Sequence, residues 1–119
     1  MTNIDGKNSL LKVVAEFYRY ENSRDRDGVR RLVDPQIVSH TYPGGDCVVG
    51  RDEYMATTVE IYRGHSATFD VLSIGADPRT ATVHAELVIG GRRFVDVFEL
   101  RDGLIVAERE YLGEGYDET

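Results

Sequence analysis

The sequence predicts an α+β domain in which a curved antiparallel sheet wraps around a layer of N-terminal helices. Three observations carry this. Apolar side chains recur at helical spacing in the first third of the chain and again after Gly50. From residue 66 onward the pattern changes to the alternation of strands. The turn-forming groups Asp77-Pro78, Gly90-Gly91 and Arg101-Asp102-Gly103 divide that second region. At 119 residues the chain fits one domain, long enough to bury a core without disulfides or a structural metal.

In residues 9–23, Leu10, Leu11, Val14, Phe17 and Tyr18 follow the i, i+3, i+4 spacing of one helical face, with Asn8 or Ser9 as the cap. A shorter helix is predicted after Asp25, with Val29, Leu32 and Val33 inward. It stops near Asp34, because Pro35 disfavours helix at the residue before it. Ile37–Tyr42 is compatible with a strand, followed by the turn Pro43-Gly44-Gly45 and a short apolar run at Cys47–Val49. A third helix is expected in RDEYMATTVEIYRG after Gly50, with Gly64 as its C-cap. Strands are then predicted at 66–75, 80–89, 92–100 and 104–112.

Composition narrows the function. The net charge is −7, from 21 acidic against 14 basic residues, and the basic ones are scattered. That argues against a nucleic-acid surface. The single cysteine, Cys47, cannot form an internal disulfide or a cysteine zinc cluster, which suits a reducing compartment. The first residues lack a basic and apolar leader, and no segment approaches membrane-spanning length. A cytoplasmic protein that engages no membrane is the expectation.

The chemistry is concentrated near the C-terminus. Phe94, Asp96, Phe98 and Leu100 share one strand face, so a lone acid sits among large apolar side chains. An ionised carboxylate there is costly unless it is paired or protonated. Glu108 and Glu110 join it or not according to the turn. A three-residue Arg101-Asp102-Gly103 loop pairs Leu100 with Leu104, sets Asp96 opposite Glu108 and Phe94 opposite Glu110, and puts all three acids on one face. A two-residue Asp102-Gly103 turn instead puts Arg109 beside Asp96 and sends both glutamates away. The first is the expected register, because it also groups Phe98 with Val106.

His84 and Glu86 at i, i+2 resemble a metal pair, but a two-residue Gly90-Gly91 turn puts Val83, Ala85 and Leu87 on the Asp96 face instead, so no metal or other cofactor is expected. His65, after Gly64, is expected in an exposed turn. Tyr18, Tyr54 and Tyr62 project from helices toward the sheet, where any of them could fill core or supply a hydroxyl.

The order of elements and the motifs PGGDCVVGRDEY and VDVFELRDGLIVAEREYLG resemble the nuclear transport factor two-like superfamily, in its SnoaL-like and ketosteroid-isomerase-like branch, over about residues 9–114. The resemblance implies a cone-shaped, cystatin-like roll with a deep pocket between the helices and the concave sheet face, and a homodimer through the sheet. It implies that Asp96 stands where a ketosteroid isomerase has its protonated, oxyanion-binding aspartic acid. His40, ending IVSH, stands where the isomerase has its general base. Glu110 stands where epoxide hydrolases and SnoaL-type cyclases have an acid. Phe17 aligns with the isomerase's oxyanion tyrosine, with Tyr18 adjacent, so steroid isomerisation is not supported. The hydrolase pattern Arg-x-Asp is missing too, since Phe94 precedes Asp96 by two.

The expected catalytic residues are therefore Asp96, His40 and Glu110, and the expected substrate contacts Phe17, Tyr18, Tyr54, Phe98, Glu108 and Leu112. The expected function is cofactor-independent acid/base catalysis, of isomerase, cyclase or hydrolase type, on a small apolar carbonyl or epoxide compound. The alternative is a ligand-binding or dimerisation module of the same fold without turnover. On the face opposite the acids, Val95, Val97, Ile105, Ala107 and Tyr111 form an apolar stripe suited to a second copy.

Overall fold

The computed structural model describes residues 3–64 and 66–116; His65 lies outside them. Helix α1 spans Asn3–Ser23, starting earlier than the apolar periodicity alone indicates. The chain then reverses through Arg24 and Asp25 into helix α2, Arg26–Leu32, whose cap is the Asp25 carboxylate accepting from the Gly28 amide at 2.9 Å. Gly28 packs face-on beneath Tyr20: a Cβ there would come within 2.6 Å of the ring, so the helical hairpin requires glycine at this point.

Strand β1, Val33–Tyr42, begins directly at the end of α2 and includes Asp34 and Pro35, so it is longer than the Ile37–Tyr42 segment expected. Strand β2, Asp46–Val49, folds back on it. Helix α3, Arg51–Ile61, follows from Gly50, whose φ of 92° suits glycine; Tyr62 rather than Gly64 is its C-cap. The remaining strands are β3 (Asp70–Asp77), β4 (Thr82–Ile89), β5 (Arg92–Arg101) and β6 (Leu104–Leu112).

These strands form one sheet in the order β2-β1-β6-β5-β4-β3. All neighbouring pairs are antiparallel except β1 and β6, which run parallel. This one departure from the expected antiparallel sheet arises because β1 enters from a helix and its hairpin partner β2 lies on its outer edge. The sheet curves around α1 and α3. Val14, Phe17 and Tyr18 of α1 meet Val83, Ala85 and Leu87 of β4 and Phe94, Phe98 and Leu100 of β5 in the core. Phe17 and Phe98 pack edge to face with centroids 5.3 Å apart. The architecture is the expected α+β roll.

The β5–β6 register corrects the sequence expectation in an instructive way. Asp102 and Gly103 make a two-residue turn with φ of 53° and 77°, and Arg101 pairs with Leu104. Continued regularly, that turn would bring Arg109 opposite Asp96. Instead the ladder is interrupted between Leu100–Ile105 and Glu99–Ala107, so that Val106 is an extra residue on β6. The bulge restores the parity: Asp96 faces Glu110, Phe98 faces Glu108 and Phe94 faces Leu112. Ile105, before the bulge, is buried in the core and not on the outer stripe. The acids therefore share the inner face, through a turn and bulge and not through a three-residue loop.

Candidate functional site

A cavity of about 620 Å³ lies between α1, α3 and the concave face of the sheet, within the size range of small-molecule sites. Its wall is mixed. Phe17, Phe69, Phe94 and Leu112 supply apolar surface; Glu21, Asp96, Glu108 and Glu110 supply four carboxyl groups.

Asp96 is 3% exposed, and the Tyr18 hydroxyl donates to its Oδ2 at 2.8 Å. Its other oxygen, Oδ1, is buried and receives no donor. Burial first, then the nearby charges of Glu108 and Glu110, raise the Asp96 pKa well above the carboxylate range; the Tyr18 bond opposes this only in part. Asp96 is thus the proton holder of the cluster: Glu110, opposite it on β6, favours the protonated form of Asp96, and Asp96 in turn favours the ionised form of Glu110. Glu110 itself is raised by burial. A neutral Asp96 held by Tyr18 at one oxygen presents an O–H from the other.

Glu108 sits one alternation away on β6. Ser39 of β1 donates to its Oε1 at 3.1 Å and Tyr54 of α3 to its Oε2 at 3.3 Å. Ser39 reaches it because the parallel ladder pairs the two residues directly. Burial, then the charges of Glu110 and Glu21, push Glu108 up to about 8 despite both hydroxyl donors. Glu21 of α1 is raised to about 7, chiefly by burial, with the Tyr62 hydroxyl and the Arg24 charge working against the rise. Tyr18, Tyr54 and Tyr62 are all pushed upward, by burial first and by the surrounding acids second, so they remain donors.

The structure brings together Asp96, Glu108, Glu110, Phe17, Tyr18, Tyr54 and Leu112, all of which line the cavity. It does not bring His40. On β1, His40 is in register with Cys47 of β2 and Arg109 of β6, whereas Ser39 and Thr41 point into the cavity beside Glu108 and Glu110. The His40 ring stacks on Tyr42 on the outer face, with centroids 6.0 Å apart. Strand parity thus separates His40 from Asp96 by the thickness of the sheet, and a mechanism with His40 as base is overturned. Phe98 is also corrected. It shares the inner face but is fully buried against Phe17 and Tyr18 and does not line the cavity.

Of the aligned pair on α1, the tyrosine that reaches Asp96 is Tyr18, while Phe17 fills the core beside it. Glu21, Ser39 and Tyr116 are site residues that sequence reasoning missed. Glu21 was within reach of it: it lies three and four residues beyond Tyr18 and Phe17, and seven beyond Val14, on the same buried helix face.

The curved α+β roll holds a carboxyl-lined cavity between helices and sheet, and its fold is that of nuclear transport factor two-like proteins. The model of the SnoaL-like domain matches residues 14–108, and the chain belongs to that family. Among solved structures it resembles a candidate ketosteroid isomerase from Kribbella flavida DSM 17836, with 20% identity, a TM-score of 0.76, and 95% of this chain and 84% of that one covered. It also resembles an LEH-like epoxide hydrolase from M. tuberculosis, with 24% identity, a TM-score of 0.73, and coverage of 90% and 84%. A third is a candidate polyketide cyclase from Xanthomonas campestris pv. campestris, with 16% identity, a TM-score of 0.77, and coverage of 91% and 93%. At these identities the likeness is one of fold. No curated protein matches the chain.

Proposed function

We propose that the cavity is a site of cofactor-independent acid/base catalysis on a small carbonyl or epoxide compound, with Asp96 as the acid and Glu110 as the base. The observation that carries this reading is Asp96, held by Tyr18 at one oxygen and standing opposite Glu110 across the β5–β6 ladder. Tyr18 occupies one oxygen of Asp96 and leaves the buried Oδ1 to carry the proton. A substrate carbonyl entering the cavity accepts a hydrogen bond from that proton. The Glu110 carboxylate removes a proton from the carbon next to the carbonyl, while Asp96 stabilises the developing enolate oxygen. Return of the proton to a different carbon completes an isomerisation, and attack of the enolate carbon on a second carbonyl completes a cyclisation. Burial raises both acids, and the charges of Glu108 and Glu110 raise Asp96 further, which suits Asp96 to hold the proton and Glu110 to accept one.

The test is exchange of α-hydrogens for deuterium in small cyclic ketones, followed by proton NMR in deuterated buffer. The wild-type protein should accelerate exchange over buffer, and Asp96→Asn and Glu110→Gln should each lower that acceleration by about two to four powers of ten without unfolding the domain. Ketones seen to enter the cavity yet exchanging at the buffer rate would end the catalytic reading. The second reading, a binding module without turnover, is favoured by the position of His40 on the outer face, and that outcome would establish it.

A further inference from the structure

The four acids come from three elements, Glu21 on α1, Asp96 on β5, and Glu108 and Glu110 on β6, and converge on one cavity. The ion pairs among the described residues join Arg30 to Asp52, Arg63 to Glu60, Arg79 to Asp77 and Arg109 to Glu99, and none of these residues lines the cavity. Among the described residues, the basic side chain that does is Arg92, which is exposed and lies over the Tyr116 ring at 5.6 Å. Arg24 offsets Glu21 in part from outside the wall. Among the described residues, Glu108 has two hydroxyl donors but no cation, and the buried Oδ1 of Asp96 has no donor. Rings of Phe17, Tyr18, Tyr54 and Phe94 face the same space.

We propose that the molecule taken into the cavity carries an alkylated, positively charged nitrogen, seated against Glu108 between aromatic rings. A cluster of carboxyl groups with too few cations of its own is completed by a cationic ligand, which favours their ionised forms. Aromatic faces favour a cation spread over alkyl groups, because the ring quadrupole attracts the charge while the alkyl groups bury apolar surface. A small, strongly hydrated ion gains little from such walls. The inference rests on the cavity being the ligand site, as proposed above, and names the class of substrate: a carbonyl or epoxide compound bearing an ammonium group.

Binding is linked to protons. Among the described residues, the titratable groups facing the site are Glu21 and Tyr18 from α1, Tyr54 from α3 and Tyr62 at its C-cap, Asp96 and Arg92 from β5, Glu108 and Glu110 from β6, and Tyr116 beyond it. Glu21 and Glu108, pushed up to about 7 and about 8, change charge near neutral pH; the tyrosines remain neutral there. His40 and His84 lie on the outer face and do not contribute. A cation therefore binds more tightly as pH rises through this range, and its binding releases protons.

The experiment is calorimetric titration of the full chain with choline and with its uncharged isostere 3,3-dimethylbutan-1-ol, at pH 6 and pH 9. Choline should bind about tenfold tighter than the alcohol at pH 9, and this preference should shrink by about tenfold at pH 6, with proton release seen as a dependence on buffer ionisation heat. Glu108→Gln should remove most of the preference at pH 9; Glu21→Gln, which leaves Glu108 in place, should only reduce it. Equal affinities, preference for the alcohol, binding of neither probe, or a preference untouched by Glu108→Gln would overturn the inference. Loss of the choline preference with deuterium exchange of neutral ketones intact would sink this inference alone. The reverse result would sink the catalytic reading alone.

Discussion

The Tyr18 hydroxyl donates to Asp96 across 78 positions of sequence, at 2.8 Å and in a buried setting. One bond thereby ties the first helix to the central strand and fixes which oxygen of Asp96 carries a proton. Tyr18→Phe keeps the ring that packs on Phe17 and Phe98 but leaves neither Asp96 oxygen with a donor.

The variant should be less stable by about 1–3 kcal/mol, the cost of a buried acceptor losing its partner. Chemical denaturation measures this. Asp96 should also hold its proton more strongly, because Tyr18 is the partner that favours its ionised form; carbon-detected NMR titration of the carboxyl reads that shift. A loss below about 0.5 kcal/mol, within the range of an ordinary surface change, would show that the bond does not hold the two elements together.

Stability should fall as pH rises from about 5 to about 8. A carboxyl whose folded value exceeds its unfolded one binds more protons when folded, throughout the window between the two values, so raising pH through that window favours unfolding. Glu21 sets a window from 4.5 to about 7 and Glu108 one from 4.5 to about 8; Asp96 and Glu110 shift in the same direction. Each fully linked group contributes about 1.4 kcal/mol per pH unit, with coupling reducing the sum. Melting temperature against pH should show this slope, and Glu108→Gln should flatten it and raise stability at pH 8. A profile that rises from pH 5 to pH 8 would contradict the burial of these acids in unpaired form.

Much of this site was legible from local pattern, and the exceptions share a cause. The face of Asp96 followed from alternation with Phe94 and Phe98, and the outward placement of His84 and Glu86 followed from the two-residue Gly90-Gly91 turn, which pairs Ile89 with Arg92. Those inferences use contacts a few residues apart. His40 could not be placed this way. Its face depends on the parallel pairing of β1 with β6, which joins residues about seventy positions apart and has no connecting turn from which to count. The inward turn of Glu108 and Glu110 was reached by the wrong route, since a bulge at Val106 leaves no mark in the composition of LIVAERE. Glu21 was overlooked because an acid on an amphipathic helix ordinarily marks the solvated boundary, and only the opposing sheet shows that this one is buried.

Arg109 distinguishes the two registers directly. On the outer face it pairs with Glu99 and is partly exposed, so Arg109→Ala should cost less than about 1 kcal/mol and leave the Asp96 titration unchanged. Were Arg109 beside Asp96, its removal would strip the counter-ion from a buried carboxylate, costing about 3–5 kcal/mol and raising the Asp96 pKa sharply. Denaturation midpoints of the single variant separate these cases.

The outer face of the sheet is expected to pair with a second copy of the chain. Val95 and Tyr111, in register with each other, are 36% and 43% exposed, and Val97 and Ala107 extend the same surface. Tyr42 stacks on Tyr111 with centroids 5.2 Å apart, and His40 stacks on Tyr42, so the patch continues onto β1 as a ladder of rings. Contiguous aromatic and β-branched surface of this kind is uncommon on monomers, and a symmetric pairing brings each ring ladder against apolar surface of the other copy. The prediction is a homodimer at micromolar concentration by light scattering, converted to monomer by Tyr111→Arg or Val95→Arg. Both positions point away from the cavity, so the monomeric variants should keep native circular dichroism and the same choline affinity. Wild-type protein that is already monomeric, or arginine variants that remain dimeric, would show that this face is not the interface.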